Sequence, residues 1–206
     1  VYGMPEGGVC SEETPTNPIN PYGQSKLMTE HMLKDYSLAS NFKFVALRYF
    51  NVSGADPEGQ IGQSFPAATH LIKVACQTAC GEREKIDVYG TDYPTKDGTC
   101  IRDYIHITDL AWAHVKALEY LEAGGKSEIL NCGYGHGFSV KEVLSRVKVI
   151  TGKDIKIQEA GRRPGDAPNL ISKAERIQSV IGWKPKHDDL DFIIKTAYDW
   201  EKRRPY

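Results

Sequence analysis

The chain has no surplus of either charge. Its 26 Lys and Arg stand against 27 Asp and Glu, a net charge of −1. A nucleic-acid binder would show a basic excess, so that class is set aside. No apolar run reaches the about 20 residues of a membrane-spanning helix, and no signal peptide is expected. Cysteines are few: five, an odd number, scattered at positions 10, 76, 80, 100 and 132. With no CxxC pair they read as free thiols of a reducing, cytoplasmic compartment. Cys76 and Cys80 lie four apart on a predicted helix, but no histidine stands near them, so packing is the better reading and no metal is expected. Internal repeats and low-complexity stretches are absent. So is a G-x-G-x-x-G loop: GYGHG (133–137) has the wrong spacing and reads as a turn before a helix cap.

What is present is a globular composition. The 206 residues are 40% hydrophobic and 26% charged, enough for a sizeable core. FKFVALRYF (42–50), KIDVYG (85–90), EILNCG (128–133) and 155–158 predict strands, and Val1-Tyr2-Gly3 reads as the tail of another. Helices are predicted from Asn20, over 66–80, from Thr108 to Glu122, from Ser139 to about Ile150, and over 172–180 and 188–203. Ser139-Val-Lys-Glu142 has the form of a capping box. Leu27, Met28, Met32, Leu33 and Tyr36 are expected on the buried side of the first helix, and Leu110, Ala111, His114, Leu118 and Leu121 on that of the third. Strands alternating with helices mean an α/β layered fold.

The chemistry is concentrated in NPYGQSKLMTEHML. Asn20 is a good N-cap and Pro21 suits the first helical position. Tyr22 and Lys26 then share a helix face. A free tyrosine, with a pKa of about 10, is no base at neutral pH. Two unit charges ~5.5 Å apart at an effective dielectric of ~20 attract by roughly 3 kcal/mol, so Lys26 would favour the phenolate of Tyr22. A second positive charge, such as an oxidised nicotinamide ring, would add to it.

Two other groups need weighing. Asp103, His106, Asp109 and His114 fit no common metal spacing, and the histidines read as hydrogen-bonding side chains of a loop and a helix. GRRPGD (161–166) sets two arginines on a proline-glycine turn; with Arg102 they suit a phosphate or diphosphate, which arginine grips with a planar fork.

These motifs carry a resemblance. VYG, PINPYGQSKLMTE, LRYFNVSGADPEGQIG, ATHLI, DVYGTDYPTKDGTCIRDYIHITDLAWAH, ILNCGYGHGFSV and GRRPGDAPNL together resemble the UDP-glucose 4-epimerases, a branch of the extended short-chain dehydrogenase/reductase family. YxxxK belongs to the whole superfamily; DYPTKDGTCIRDYIHITDLA is similar to the epimerase branch. The resemblance implies an NAD-dependent epimerisation of UDP-galactose to UDP-glucose through a 4-keto sugar. Tyr22 would be the base, and Lys26 and Tyr49 would join it at the cofactor. Asn51, Thr69, His70 and Leu71 would line the diphosphate and nucleotide side. Tyr89 would support the uracil, Arg102 and Arg163 would clamp the diphosphate, Asp166 would reach the ribose, and Leu170 would shape the sugar pocket. It also implies a homodimer, and a division into the C-terminal part of a Rossmann-type doubly wound domain (1–50, with 103–133 returning to it) and a small mixed α/β substrate domain (51–102 and 134–206). The family's glycine-rich βαβ unit has no counterpart here, so the sequence reads as a partial one, with no turnover expected of this chain alone. A sugar-nucleotide dehydratase or decarboxylase of the same family, or a non-catalytic sugar-nucleotide binder, are the alternatives.

Overall fold

The computed structural model describes residues 1–65 and 67–203. Among them ten strands and six α-helices alternate, an α/β architecture. The strands are β1 (Val9–Cys10), β2 (Val45–Tyr49), β3 (Asn51–Ser53), β4 (Ile86–Tyr89), β5 (Ile101–Arg102), β6 (Tyr104–His106), β7 (Glu128–Cys132), β8 (Phe138–Ser139), β9 (Ile157–Ala160) and β10 (Asn169–Ser172). The helices are α1 (Pro21–Ala39), α2 (Leu71–Ala79), α3 (Ile107–Glu122), α4 (Val140–Thr151), α5 (Glu175–Ile181) and α6 (Leu190–Arg203).

Pairing is mostly parallel: β2 with β7, β3 with β6, β4 with β9, and β1 with β10 with β5; β8 closes the last set antiparallel to β5. Parallel neighbours need crossovers, and the helices between the strands supply them. Two apolar clusters result. One gathers Ile72, Cys76, Val88, Val143, Leu144, Val147, Ile193 and Ile194 between α2, α4, α6 and β4. The other packs Ile105, Leu110, Ala113, Leu130, Ile177 and Trp183 between α3, α5 and the β6 and β7 strands. Tyr134 touches both.

Several expectations need correction. On α1 only Gly23, Leu27 and Glu30 are buried, while Met28, Met32 and Tyr36 are more than half exposed. Neighbouring elements cover one narrow stripe of this helix, and a charged residue lies in that stripe. On α3 the inward face is Asp109, Leu110, Ala113 and Ala117; Ala111, His114 and Leu118 face outward. The cap of α3 is His106, whose ring accepts a hydrogen bond from the Thr108 amide, so Thr108 stands inside the helix. Helix α2 starts at Leu71 rather than 66, after a segment without regular structure; Pro66 lies outside the described residues. The helix expected over 172–180 runs from Glu175 to Ile181, and Ser172 instead ends a strand, Asn169–Ser172, that pairs with β1 and β5. The strand expected at 155–158 runs from Ile157 to Ala160, and Val1–Gly3 adopts no regular structure. The capping box at Ser139 forms as expected, with both reciprocal bonds made.

Candidate active site

Helix α1 is built to present Tyr22. The Asn20 side chain accepts a 2.8 Å hydrogen bond from the Gly23 amide, and Pro21 occupies the first helical position. A Cβ on Gly23 would meet Pro18 at 3.0 Å, so the loop lies tight on the helix start. Tyr22 and Lys26 therefore come from successive turns, and the Lys26 ammonium sits 5.3 Å from the centre of the Tyr22 ring. Tyr22 is 68% exposed. Its hydroxyl has no hydrogen-bond partner among the described residues, so it is free to meet a ligand.

Opposite α1 the chain changes partners. Strand β2 pairs with β7, then the Asn51 amide donates to Asp103 O at 2.9 Å and β3 continues against β6. Tyr49 and Asn51 flank this crossing, the kind of position where open α/β sheets bind ligands. From the other side, β10 and β5 pair in a register that sets Leu170 beside Arg102. Tyr22, Lys26, Tyr49, Asn51, Arg102, Asp166 and Leu170 all line one cleft of ≈ 520 Å³.

Tyr89 and Arg163 are not part of that lining and connect to it through Asp166. The Arg163 guanidinium lies over the Tyr89 ring at 4.4 Å and donates from Nε to Asp166 at 3.1 Å. Asp166 is also 3.5 Å from Arg102, whose Nη1 donates to the carbonyls of Ile101 and Ala167. The two arginines expected from the sequence thus meet, but they meet at a carboxylate of the protein.

Thr69, His70 and Leu71 lie elsewhere. The His70 ring bonds Gln63 at 2.9 Å and lines a small separate cavity with Trp200 and Glu201, and Leu71 packs on the first apolar cluster. The segment is drawn there because α2 buries its apolar face beside α6, where Lys73 pairs with Glu201. The glycine-rich run serves Asp103. The amides of Tyr134 and Gly135 donate to its carboxylate, as do the amide and hydroxyl of Ser172. A Cβ on Gly133 would strike Ser172 Oγ at 2.4 Å. These amides grip an internal anion. His106 and His114 are held by Thr196 and by Leu110 O, and no group of three or more His, Cys, Asp or Glu among the described residues is placed to hold a metal.

Sequence reasoning missed Glu30 and Arg48, which line the same cleft. Arg48 binds Glu30 across α1 and β2 and donates to the Tyr2 hydroxyl at 2.9 Å; Tyr2 in turn donates to Asn131. The available signal was an arginine inside the dense β run FVALRYF, a charge in a segment otherwise read as buried strand.

The chain as a whole is similar to known proteins. A family model described as GDP-mannose 4,6 dehydratase matches residues 1–196. A protein named UDP-glucose 4-epimerase from Azospirillum brasilense is 55% identical over 202 residues, covering 98% of this chain and 58% of that relative. The solved UDP-glucose 4-epimerase of Brucella ovis, in complex with NAD, is 45% identical with a TM-score of 0.92, covering 96% of this chain and 61% of that one. That of Bifidobacterium longum, in complex with NAD+ and UDP, is 37% identical with a TM-score of 0.91, covering 100% and 62%. The chain thus spans about three fifths of the length of these relatives. It has their Rossmann-type α/β fold, no helix among its described residues is long and apolar enough to cross a membrane, and it belongs to the family described as GDP-mannose 4,6 dehydratase, with its similarity running to proteins named UDP-glucose 4-epimerase.

Proposed function

We propose that the whole protein is an NAD-dependent UDP-hexose 4-epimerase that interconverts UDP-galactose and UDP-glucose, and that this cleft is its sugar-nucleotide side. The observation that carries the reading is one wall bearing an unpartnered tyrosine hydroxyl with a lysine beside it, facing a wall bearing Arg102, Asp166 and Leu170. The relatives named UDP-glucose 4-epimerase support the choice of reaction.

The residues present fit the nicotinamide end of the cofactor. Tyr22, Lys26 and Tyr49 offer a hydroxyl, an ammonium and an aromatic ring to the one cleft, the first two from α1 and the third from β2. NAD+ supplies, when bound, the acceptor and later the donor of the hydride. Tyr22 would take the proton from the sugar 4-hydroxyl and hand it back to the same oxygen once the turned 4-keto sugar presents its other face to the cofactor. Lys26 stabilises the phenolate by charge and holds the cofactor's ribose. Arg102 and Arg163 grip the diphosphate, Asp166 meets the ribose hydroxyls, Tyr89 supports the base, Asn51 lies along the diphosphate and Leu170 borders the hexose. Thr69 and His70, exposed at the start of α2, would reach the nucleotide only from outside this cleft.

The two apolar clusters support the division into a cofactor part (1–50 and 103–133) and a substrate part (51–102 and 134–206), with 174–183 packed on the former. Five free cysteines support a cytoplasmic protein, and we place it as a homodimer. The family model's description keeps a nucleotide-sugar dehydratase as the second reading. Product analysis separates the two: incubating the whole protein with UDP-galactose and NAD should yield UDP-glucose. A 4-keto-6-deoxy product would contradict the epimerase reading.

A further inference from the structure

Asp166 stands where a ligand's anion would be expected. Its two oxygens face different arginines: Oδ1 lies 3.5 Å from Arg102, and Oδ2 accepts from Nε of Arg163 at 3.1 Å. Arg102 is held from several sides, whereas Arg163 is half exposed. Arg102 is 14% exposed and anchored by two backbone carbonyls, and Arg163 rests on the Tyr89 ring. The neighbouring Arg162 is engaged elsewhere, with Asp92 and Tyr93. One carboxylate thus bridges two guanidiniums, as a diphosphate would.

We propose that Asp166 is an internal anion that fills the arginine pair, weakens the binding of small inorganic anions in the cleft and favours a diphosphate that carries a diol-bearing group such as a nucleoside. This rests on the nucleotide-diphosphate reading of the cleft given above. Pyrophosphate entering the pair takes both partners from Asp166 and leaves a carboxylate against another anion with nothing to accept from. A nucleoside diphosphate brings ribose hydroxyls, which donate to the displaced carboxylate and replace what it lost. Asp166 therefore weakens binding of the bare anion and strengthens binding of the nucleotide. Selectivity comes from the repulsive element as much as from the attractive one.

The test is calorimetric titration of the chain with inorganic pyrophosphate and, separately, with UDP. Wild type is compared with Asp166→Asn and Asp166→Glu, and circular dichroism checks that each is folded. Asp166→Asn is expected to tighten pyrophosphate roughly three- to tenfold, the scale of one or two part-exposed ion pairs. It is expected to weaken UDP by about tenfold, the scale of one charged hydrogen bond. Asp166→Glu, which keeps the charge, should keep pyrophosphate weak. Should the Asn variant fail to fold, Asp166→Ser carries the same expectation. Pyrophosphate affinity unchanged or lower in a folded neutral variant overturns the proposal, as does equal tightening in the Glu variant. A wild-type chain that takes no UDP contradicts the nucleotide reading instead, and tightening of pyrophosphate by Asp166→Asn would then still support the internal anion.

Discussion

Arg48 of β2 clasps Glu30 of α1 through two parallel hydrogen bonds, Nε to Oε1 at 2.8 Å and Nη2 to Oε2 at 2.6 Å, with both side chains less than a tenth exposed. Burial disfavours the arginine's charge, but the bonds to Glu30 and Tyr2 outweigh it and raise Arg48 above the usual arginine value. Burial lifts Tyr2 to about 12 against the pull of Arg48. Glu30 lies one turn beyond Lys26, so the clasp also fixes the helix that presents Tyr22. Removing one partner strands the other charge. Glu30→Ala should cost about 3–5 kcal/mol, read as a fall in the urea midpoint. A loss below about 1 kcal/mol would show that the pair is solvated and positions nothing.

His106 makes stability depend on acid. Its Nδ1 accepts from the Thr108 amide, which puts the ring proton on Nε2, facing Thr196 Oγ1 at 3.1 Å. A second proton would have to sit on Nδ1, which faces the donating Thr108 amide, so no acceptor waits for it there. Burial, then the neighbouring His187, lowers His106 to about 4, against the raising effect of Asp109. The unfolded chain, with a histidine near 6.5, therefore binds the proton first. Stability is complete above about pH 6.5 and falls as pH drops from there toward 4, by at most about 1.4 kcal/mol per pH unit from this group. Urea unfolding of wild type and His106→Gln over that range should show a shallower slope in the variant; identical slopes would refute the assignment.

Trp183 is fully buried in the second apolar cluster, and its Nε1 donates to Asp109 O at 2.9 Å. Asp109 in turn accepts from the Tyr134 hydroxyl and from the Lys186 and His187 amides, so the indole sits on the joint between α3 and the turn before α6. Trp183→Ala should destabilise by about 3–5 kcal/mol through lost burial and a cavity. Trp183→Phe should cost less and leave the Asp109 carbonyl without its indole donor. Equal thermal midpoints for wild type and the Ala variant would contradict this packing.

Local signals in the sequence carried a good part of this. The Asn20-Pro21 start of α1 and the Ser139–Glu142 capping box were legible because their bonds close within a few residues. The same locality put Tyr22 and Lys26 on one face. Long-range facts were not legible. Which stripe of α1 is buried depends on Arg48 reaching Glu30, and a charged residue inside the stripe defeats an apolar pattern. The strand at 169–172 exists because β1 and β5 flank it, not because of its propensity. The arginines of the cleft were recognisable from GRRPGD and Arg102, but their shared partner in the free chain was not, because Asp166 meets them only through the fold.

The central claim is that the Tyr22 hydroxyl moves the proton at the sugar's 4-position, and removing that single oxygen tests it most directly. The measurement is conversion of UDP-galactose to UDP-glucose by the whole protein with NAD, for wild type and Tyr22→Phe, with UDP binding measured alongside. The expected result is a loss of turnover on the order of 10²–10⁴-fold in the Phe variant, the scale of general acid–base catalysis, with UDP affinity kept. A Phe variant that turns over at the wild-type rate would contradict it.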